Sequence, residues 1–141
     1  MIDENGFDYD SIDVFECDAD HSMNSRHFVN WMERAAFNLR KSFGPNRRIC
    51  IVIDNATWHN ELTDETKPPK RSWRKLEVEA WLREHRIEFD VDFKKSELLD
   101  RAFNDLPPRK FKVDEVAKKF DVEILRLPIN HCSLNPIELP W

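Results

Sequence analysis

Ile49 to His59 reads ICIVIDNATWH, and the choice of fold starts there. Five apolar or nearly apolar residues run without a break into Asp54, after which the chain turns polar. A short continuous apolar run with β-branched residues predicts a strand covered on both faces, as in a parallel sheet between helical layers. Cys50 is then a small core residue. The carboxylate at the strand's exit is what needs explaining, because ligands of open α/β sheets gather beyond the carboxyl ends of the strands. An acid in that position serves equally well for a ribose, a phosphate-bound metal or a neighbouring loop amide, so Asp54 alone does not choose among them.

Working outward, SIDVFECD (Ser11–Asp18) alternates enough to predict a short strand. From Ser25 to about Arg40, the residues Phe28, Trp31, Met32, Ala35, Ala36 and Leu39 fall at helical spacing on one apolar stripe. Gly44 and Pro45 end that helix. Downstream, past Pro68 and Pro69, SWRKLEVEAWLREHR predicts a second helix with Ser72 as its cap and Trp73, Leu76 and Ala80 on one side. KSELLDRAFND and VDEVAKKF predict two more, separated by Pro107 and Pro108, and DVEILRLP predicts another strand. Strand, helix, strand, helices, strand is the order of a layered α/β domain with parallel strands and helical crossovers.

The bulk properties agree with one globular domain. The chain has 141 residues, 40% of them hydrophobic, enough for a single core. No apolar run approaches the roughly 20 residues that cross a bilayer, and MIDENGFDYD is acidic where a signal peptide is basic and then apolar. An intracellular chain is expected. Its three cysteines, Cys17, Cys50 and Cys132, form no paired framework, so they read as reduced thiols. A net charge of −5 has the wrong sign for gripping nucleic acid without local basic patches.

A second stretch, VEILRLPINHCSLNPIELPW, again runs an apolar strand into a loop. Asn135 reads as a helix N-cap and Pro136 as the first helical residue, which brings Glu138 into the first turn. Asn135 and Glu138 also have the spacing of a capping box, in which the acid only satisfies a backbone amide. Yet if this strand pairs beside the first, Asp54 and Glu138 converge on one crevice, and two converging carboxylates suit Mg²⁺ or Mn²⁺. His131 beside Cys132 lacks the second pair that a zinc site needs.

Here the residues carry a resemblance. VIDNATWH is similar to a catalytic strand and turn of DDE transposases of the Tc/mariner superfamily, and LRLPINHCSLNPIELPW resembles their closing motif. HSMNSRHFVNWMERAAF resembles the Met-Asn helix that precedes that strand, and WRKLEVEAWLREHRIEF resembles the helix of a long insert. The likeness spans about Gly6 to Trp141. It implies a ribonuclease-H-like (integrase-type) mixed sheet flanked by helices and lacking its first two strands. On that plan residues 10–42 carry a strand and the Met-Asn helix, 48–55 the second-carboxylate strand, 70–120 a helical insert, and 121–141 the last strand and the start of the Asn-Pro-Ile-Glu helix.

The chemistry implied by the resemblance is metal-dependent DNA strand cleavage and strand transfer, with Asp54 as the second carboxylate and Glu138 as the third, holding Mg²⁺ or Mn²⁺. Asn55, His59 and Asn135 would support them from behind. A surface histidine after a turn is the plain alternative for His59. The family also implies DNA as partner, no membrane, residence in the nucleus, and it admits a homodimer. The first aspartate of the family, carried on its first strand, has no counterpart: Asp8, Asp10, Asp13, Asp18 and Asp20 lie on no run resembling that strand. The expectation is an N-terminally incomplete catalytic domain, inert by itself.

For DNA contact the candidate is KPPKRSWRK, which places Lys67, Lys70, Arg71, Arg74 and Lys75 around Trp73. The same run is also an ordinary solvated helix start. Two further readings stay open. One keeps the fold without the chemistry, as a co-opted or relic domain that binds nucleic acid or protein. The other is an unrelated α/β protein using Asp54 for a phosphate and Glu138 only as a cap.

Overall fold

A computed structural model describes residues 1–3, 6, 7, 9–14, 24–129 and 134. The chain is a mixed α/β protein that divides into two compact units, Met1–Glu61 with Phe111–Trp141, and Leu62–Lys110.

In the first unit β1 (Ile2–Asp3) and β2 (Gly6–Phe7) form a small antiparallel hairpin that the sequence pattern did not announce. Of the strand expected over Ser11–Asp18, the described part is not a strand: Ser11 ends a 3-10 turn that begins at Tyr9, and Ile12–Val14 are in no strand. Phe15–Asp18 lie outside the described residues. Side chains of the first long helix hold this segment instead. Trp31 Nε1 donates to the Ser11 carbonyl at 2.8 Å, while His27 Nε2 and Arg34 Nη2 each lie 2.9 Å from Asp13 Oδ2.

That helix, α1 (Ser25–Phe43), starts where Asn24 Oδ1 accepts the His27 backbone N–H at 3.0 Å, which satisfies one of the donors a helix start leaves over. It stops at Gly44, whose φ of 75° belongs to the left-handed region that costs glycine nothing. Phe28, Met32, Ala35 and Ala36 are buried as the apolar stripe predicts, with Trp31 and Leu39 half-buried beside them.

Strand β3 (Ile49–Ile53) and β4 (Val122–Arg126) pair in parallel, with Ile49 opposite Val122 and Ile53 opposite Arg126. Ile49, Ile51 and Ile53 pack with Phe28, Met32 and Ala36 of α1 and with Val113 and Ala117. Removing each such side chain from water stabilises the fold by roughly 1.5–3 kcal/mol. The expectation of a strand covered on both faces fails. Burial alternates along β3, Cys50 is exposed rather than in the core, and Val52 is 43% exposed. Within this unit the helical packing meets the Ile49, Ile51 and Ile53 face, so five consecutive apolar residues concealed an alternating strand.

The second unit holds α2 (Lys75–Glu84) and α3 (Lys95–Asn104). Each helix start is closed by an acid reaching back: Glu77 Oε2 accepts the Arg74 N–H and Glu97 Oε2 the Lys94 N–H, both at 2.6 Å. Arg74, not Ser72, therefore precedes the first turn of α2. Its buried face is Val78, Trp81 and Leu82, packed on Leu98, Leu99 and Ala102 of α3. Leu76, expected inside, is 75% exposed, and Ala80 is exposed as well.

The last helix, α4 (Lys112–Lys118), belongs with the sheet, where Val113 and Ala117 enter the β3 cluster. The segment read as one insert over 70–120 thus divides after Lys110. Arg40 of α1 fastens the turn between α4 and β4, donating to the Phe120 carbonyl at 2.8 Å and also to the Asp121 carbonyl.

Candidate functional site

Asp54 is the first residue past β3, and its side chain is 49% exposed. Its Oδ1 accepts the Ala56 backbone N–H at 3.1 Å, an Asx turn of the kind that lets a short acid mimic a backbone bend. The same oxygen lies 2.8 Å from His59 Nδ1, which is also 3.2 Å from the Asp54 carbonyl. Both oxygens only accept, so the ring proton sits on Nδ1. His59 is no surface histidine: it is 8% exposed, its ring lies 3.9 Å from that of Phe28, and Trp58 meets it edge-on at 5.9 Å.

The far end of this loop is held from β4. Arg126 donates from Nε to Asn60 Oδ1 at 2.9 Å and from Nη2 to the His59 carbonyl at 3.1 Å. Its guanidinium stands 4.3 Å from the centre of the Phe111 ring. Nη1 approaches Asp114 Oδ1 to 2.6 Å at an angle that makes an ion pair rather than a formed hydrogen bond. Asn60 Nδ2 in turn donates to Asn55 Oδ1 and, at 3.2 Å, to the Ala56 carbonyl. Asn55 and His59 thus belong to the same loop as Asp54, one through its side chain and the other through both ring and carbonyl. Arg126, Asn60 and Asp114 were missed from the sequence. The signal that could have found Arg126 is parity: Val122 and Ile124 point toward the core from β4, so Arg126 points the same way and needs acceptors there.

Glu138 and Asn135 lie outside the described residues, as do Asp8, Asp18, Asp20, Cys17, His131 and Cys132. Asp13 is spoken for by His27 and Arg34. Among the described residues no group of three or more His, Cys, Asp or Glu side chains could hold a metal ion. Asp54 is one hard oxygen ligand, and a single carboxylate does not make a divalent-ion site.

Within the second unit the basic run is partly neutralised. Lys67 Nζ meets Asp64 at 2.6 Å, Lys75 Nζ lies 3.8 Å from Glu79, and the Arg71 guanidinium stands 5.3 Å from the Phe103 ring centre. Trp73 packs against the helical core instead of offering a face for stacking. Lys70 and Arg74 are exposed and have no acidic partner among the described residues.

One ionised pair on the open face of the sheet is perturbed. Arg48 donates twice to Glu123, at 3.1 and 2.9 Å. These hydrogen bonds first, and the positive charge second, hold the Glu123 carboxyl below its ordinary range. No helix among the described residues is long and apolar enough to cross a membrane. Compared with protein-family models, with curated proteins and with solved structures, the chain matches none.

Proposed function

We propose that this chain is part of a ribonuclease-H-like catalytic domain of the DDE transposase type, acting on DNA in the nucleus and inert without the rest of the catalytic set. The observation that supports this reading is the parallel pairing of β3 with β4. Their carboxyl ends are adjacent, with Leu127 N–H donating to the Ile53 carbonyl at 2.9 Å. The chain carrying Asn135 and Glu138 therefore departs from beside Asp54, as a shared carboxylate site requires.

Asp54 and Glu138 would hold Mg²⁺ or Mn²⁺, which when bound supply activation of a water or hydroxyl and stabilisation of the leaving oxygen in phosphoryl transfer. The part of this chain is orientation. The Asx turn and the His59 ring fix one carboxylate oxygen, while no hydrogen bond engages Oδ2 among the described residues. In the basic run of the second unit, Lys70 and Arg74 are exposed with no acidic partner among the described residues and would meet DNA phosphates.

Paramagnetic broadening by Mn²⁺ tests the reading. The Asn55 and Ala56 amides should broaden in the wild-type chain, and much less in both Asp54→Asn and Glu138→Gln. Equal broadening in wild type and Glu138→Gln would remove the two-carboxylate site. Mg²⁺-dependent DNA cleavage by the chain alone would contradict the expected inertness.

A further inference from the structure

Ser72 carries a hydroxyl that the fold does not use. The start of α2 is closed by Glu77 on the Arg74 N–H, so the serine two residues earlier caps nothing. It lies in a surface turn closed by the Trp73 N–H on the Lys70 carbonyl at 3.0 Å. The residue is exposed and makes no hydrogen bond among the described residues. Cations stand on both sides of it, Lys70 and Arg71 before, Arg74 and Lys75 after. Upstream the chain is already extended: Lys67 has φ −67° and ψ 126°, and the rings of Pro68 and Pro69 exclude a helical turn there.

We propose that Ser72 is a phosphorylation site, read by a serine kinase that selects cations flanking its acceptor, and that its phosphate occupies Lys70 and Arg74 in place of DNA. The Ser72 oxygen attacks the γ-phosphorus of ATP, the bond from that phosphorus to the β,γ-bridging oxygen breaks, and ADP leaves. The hydroxyl proton passes to the base of the kinase. Two other serines follow a pair of cations, Ser42 after Arg40 and Lys41, and Ser96 after Lys94 and Lys95. Both lack the cations on the far side: Phe43, Gly44 and Pro45 follow Ser42, and Glu97 follows Ser96. Both also lie inside helices, Ser42 in the last turn of α1 and Ser96 in the first turn of α3. A kinase grips several residues of backbone, which a helix keeps engaged, whereas at Ser72 one turn hydrogen bond has to open.

A phosphate on Ser72 brings a charge of about −1.5 to −2 and three strong acceptor oxygens. Within the basic run, Lys67 is held by Asp64, Lys75 lies near Glu79, and Arg71 lies over the Phe103 ring. Lys70 and Arg74 are engaged by neither an acid nor a ring among the described residues, and each is two residues from Ser72. The phosphate therefore takes the two cations that would otherwise meet DNA. It also sits just ahead of α2, where negative charge faces the positive end of the helix, so the fold is not weakened. This regulation rests on the reading of Lys70 and Arg74 as contacts to DNA phosphates; the identity of the acceptor does not.

Two experiments test it. In the first, the wild-type chain is incubated with ATP, Mg²⁺ and a serine kinase selective for flanking cations, then mapped by mass spectrometry. One phosphate should appear, on Ser72, and Ser72→Ala should take none. Transfer to Ser42 or Ser96 in preference to Ser72, or no transfer, would overturn the site. In the second, phosphoserine is incorporated at position 72 during translation. Duplex affinity in low-salt anisotropy should fall about tenfold or more, and the slope of log affinity against log salt should flatten by about two phosphate contacts. Urea unfolding of the second unit should stay where it is or move to higher urea, and Ser72→Ala should bind duplex as wild type does. Unchanged affinity, or a lost affinity that comes with earlier unfolding, would overturn the regulation. Should the unmodified chain bind no duplex, the DNA contact fails rather than the site. The kinase experiment then decides, together with the Lys70 Nζ and Arg74 Nε resonances, which the phosphate should shift; a phosphate that moves neither would overturn its capture by those cations.

Discussion

Replacing Arg126 should loosen the Asp54 loop from the far end of the sheet. Arg126→Ala removes two hydrogen bonds from a charged donor, at 2.9 and 3.1 Å, in a side chain only 17% exposed. At the low end of what such bonds contribute they are worth about 1.5 kcal/mol each. The contact with the Phe111 ring adds about 0.5 kcal/mol. The ion pair with Asp114, whose side chain is 38% exposed, is screened and adds less than about 1 kcal/mol. The sum is roughly 3.5–4.5 kcal/mol. Arg126→Lys keeps the charge but cannot fork to Asn60 and His59 together, so it should recover less than about half. Because the chain forms two compact units, one melting temperature would mix them. Hydrogen exchange of the Ile51 and Ile53 amides reports on the sheet directly. A loss under about 1 kcal/mol, or a lysine variant as stable as wild type, would refute the assignment of Arg126 as the clamp.

Leu82→Ala should destabilise the second unit by about 2–5 kcal/mol, whereas Leu76→Ala should stay within about 0.5 kcal/mol; similar losses in urea unfolding would mean that the buried face of α2 is wrongly placed. Glu123, its carboxyl held down by Arg48, favours the folded state above the ordinary carboxylate range. That contribution fades as pH falls through the lowered folded value. Arg48→Ala should raise the Glu123 midpoint in a carboxyl NMR titration, and an unmoved midpoint would disprove the link. If the second unit touches DNA, Lys70→Glu with Arg74→Glu should weaken duplex binding several-fold in low-salt anisotropy, and Lys67→Glu, already paired, much less. Equal losses at Lys67 would argue against those two cations as the contact.

How far the sequence could be read depended on whether a pattern had one phase or two. Along α1 the stripe Phe28, Met32, Ala35, Ala36 admits a single apolar face, and Gly44 with Pro45 marks its end. In α2 two sets compete at helical spacing, Leu76 with Ala80 and Val78 with Trp81 and Leu82. What chooses the second is tertiary: Leu98, Leu99 and Ala102 of α3 join Val78, Trp81 and Leu82 in one cluster, against which Phe89, Phe93 and Phe103 pack. In β3 the run ICIVI is apolar at every position and so hides its own alternation, which is why Cys50 came out on the wrong side. Near Ser11 an alternating pattern did exist, but side chains of α1 engage the Ser11 carbonyl and Asp13, through Trp31, His27 and Arg34. Parallel pairing of the two apolar strands, by contrast, followed from helices lying between them.

The loop after β3 shows the same division on a smaller scale. Asp54 to His59 carries its own instructions, because an acid two residues before an amide makes an Asx turn and a histidine five residues on closes over it. The other anchor lies 66 residues away, where Arg126 reaches Asn60, and no local pattern announces it. Two anchors of different origin should fail separately. Loss of Arg126 should free Asn60 and the His59 carbonyl while the Asp54 to Ala56 turn persists, since that turn needs only its own residues. Loss of the Asp54 carboxylate should unseat the His59 ring while Arg126 still holds the carbonyl behind it. The carboxylate can therefore keep its local orientation even when the sheet's grip on the loop is weakened, as a residue offered to a ligand at a strand's exit must.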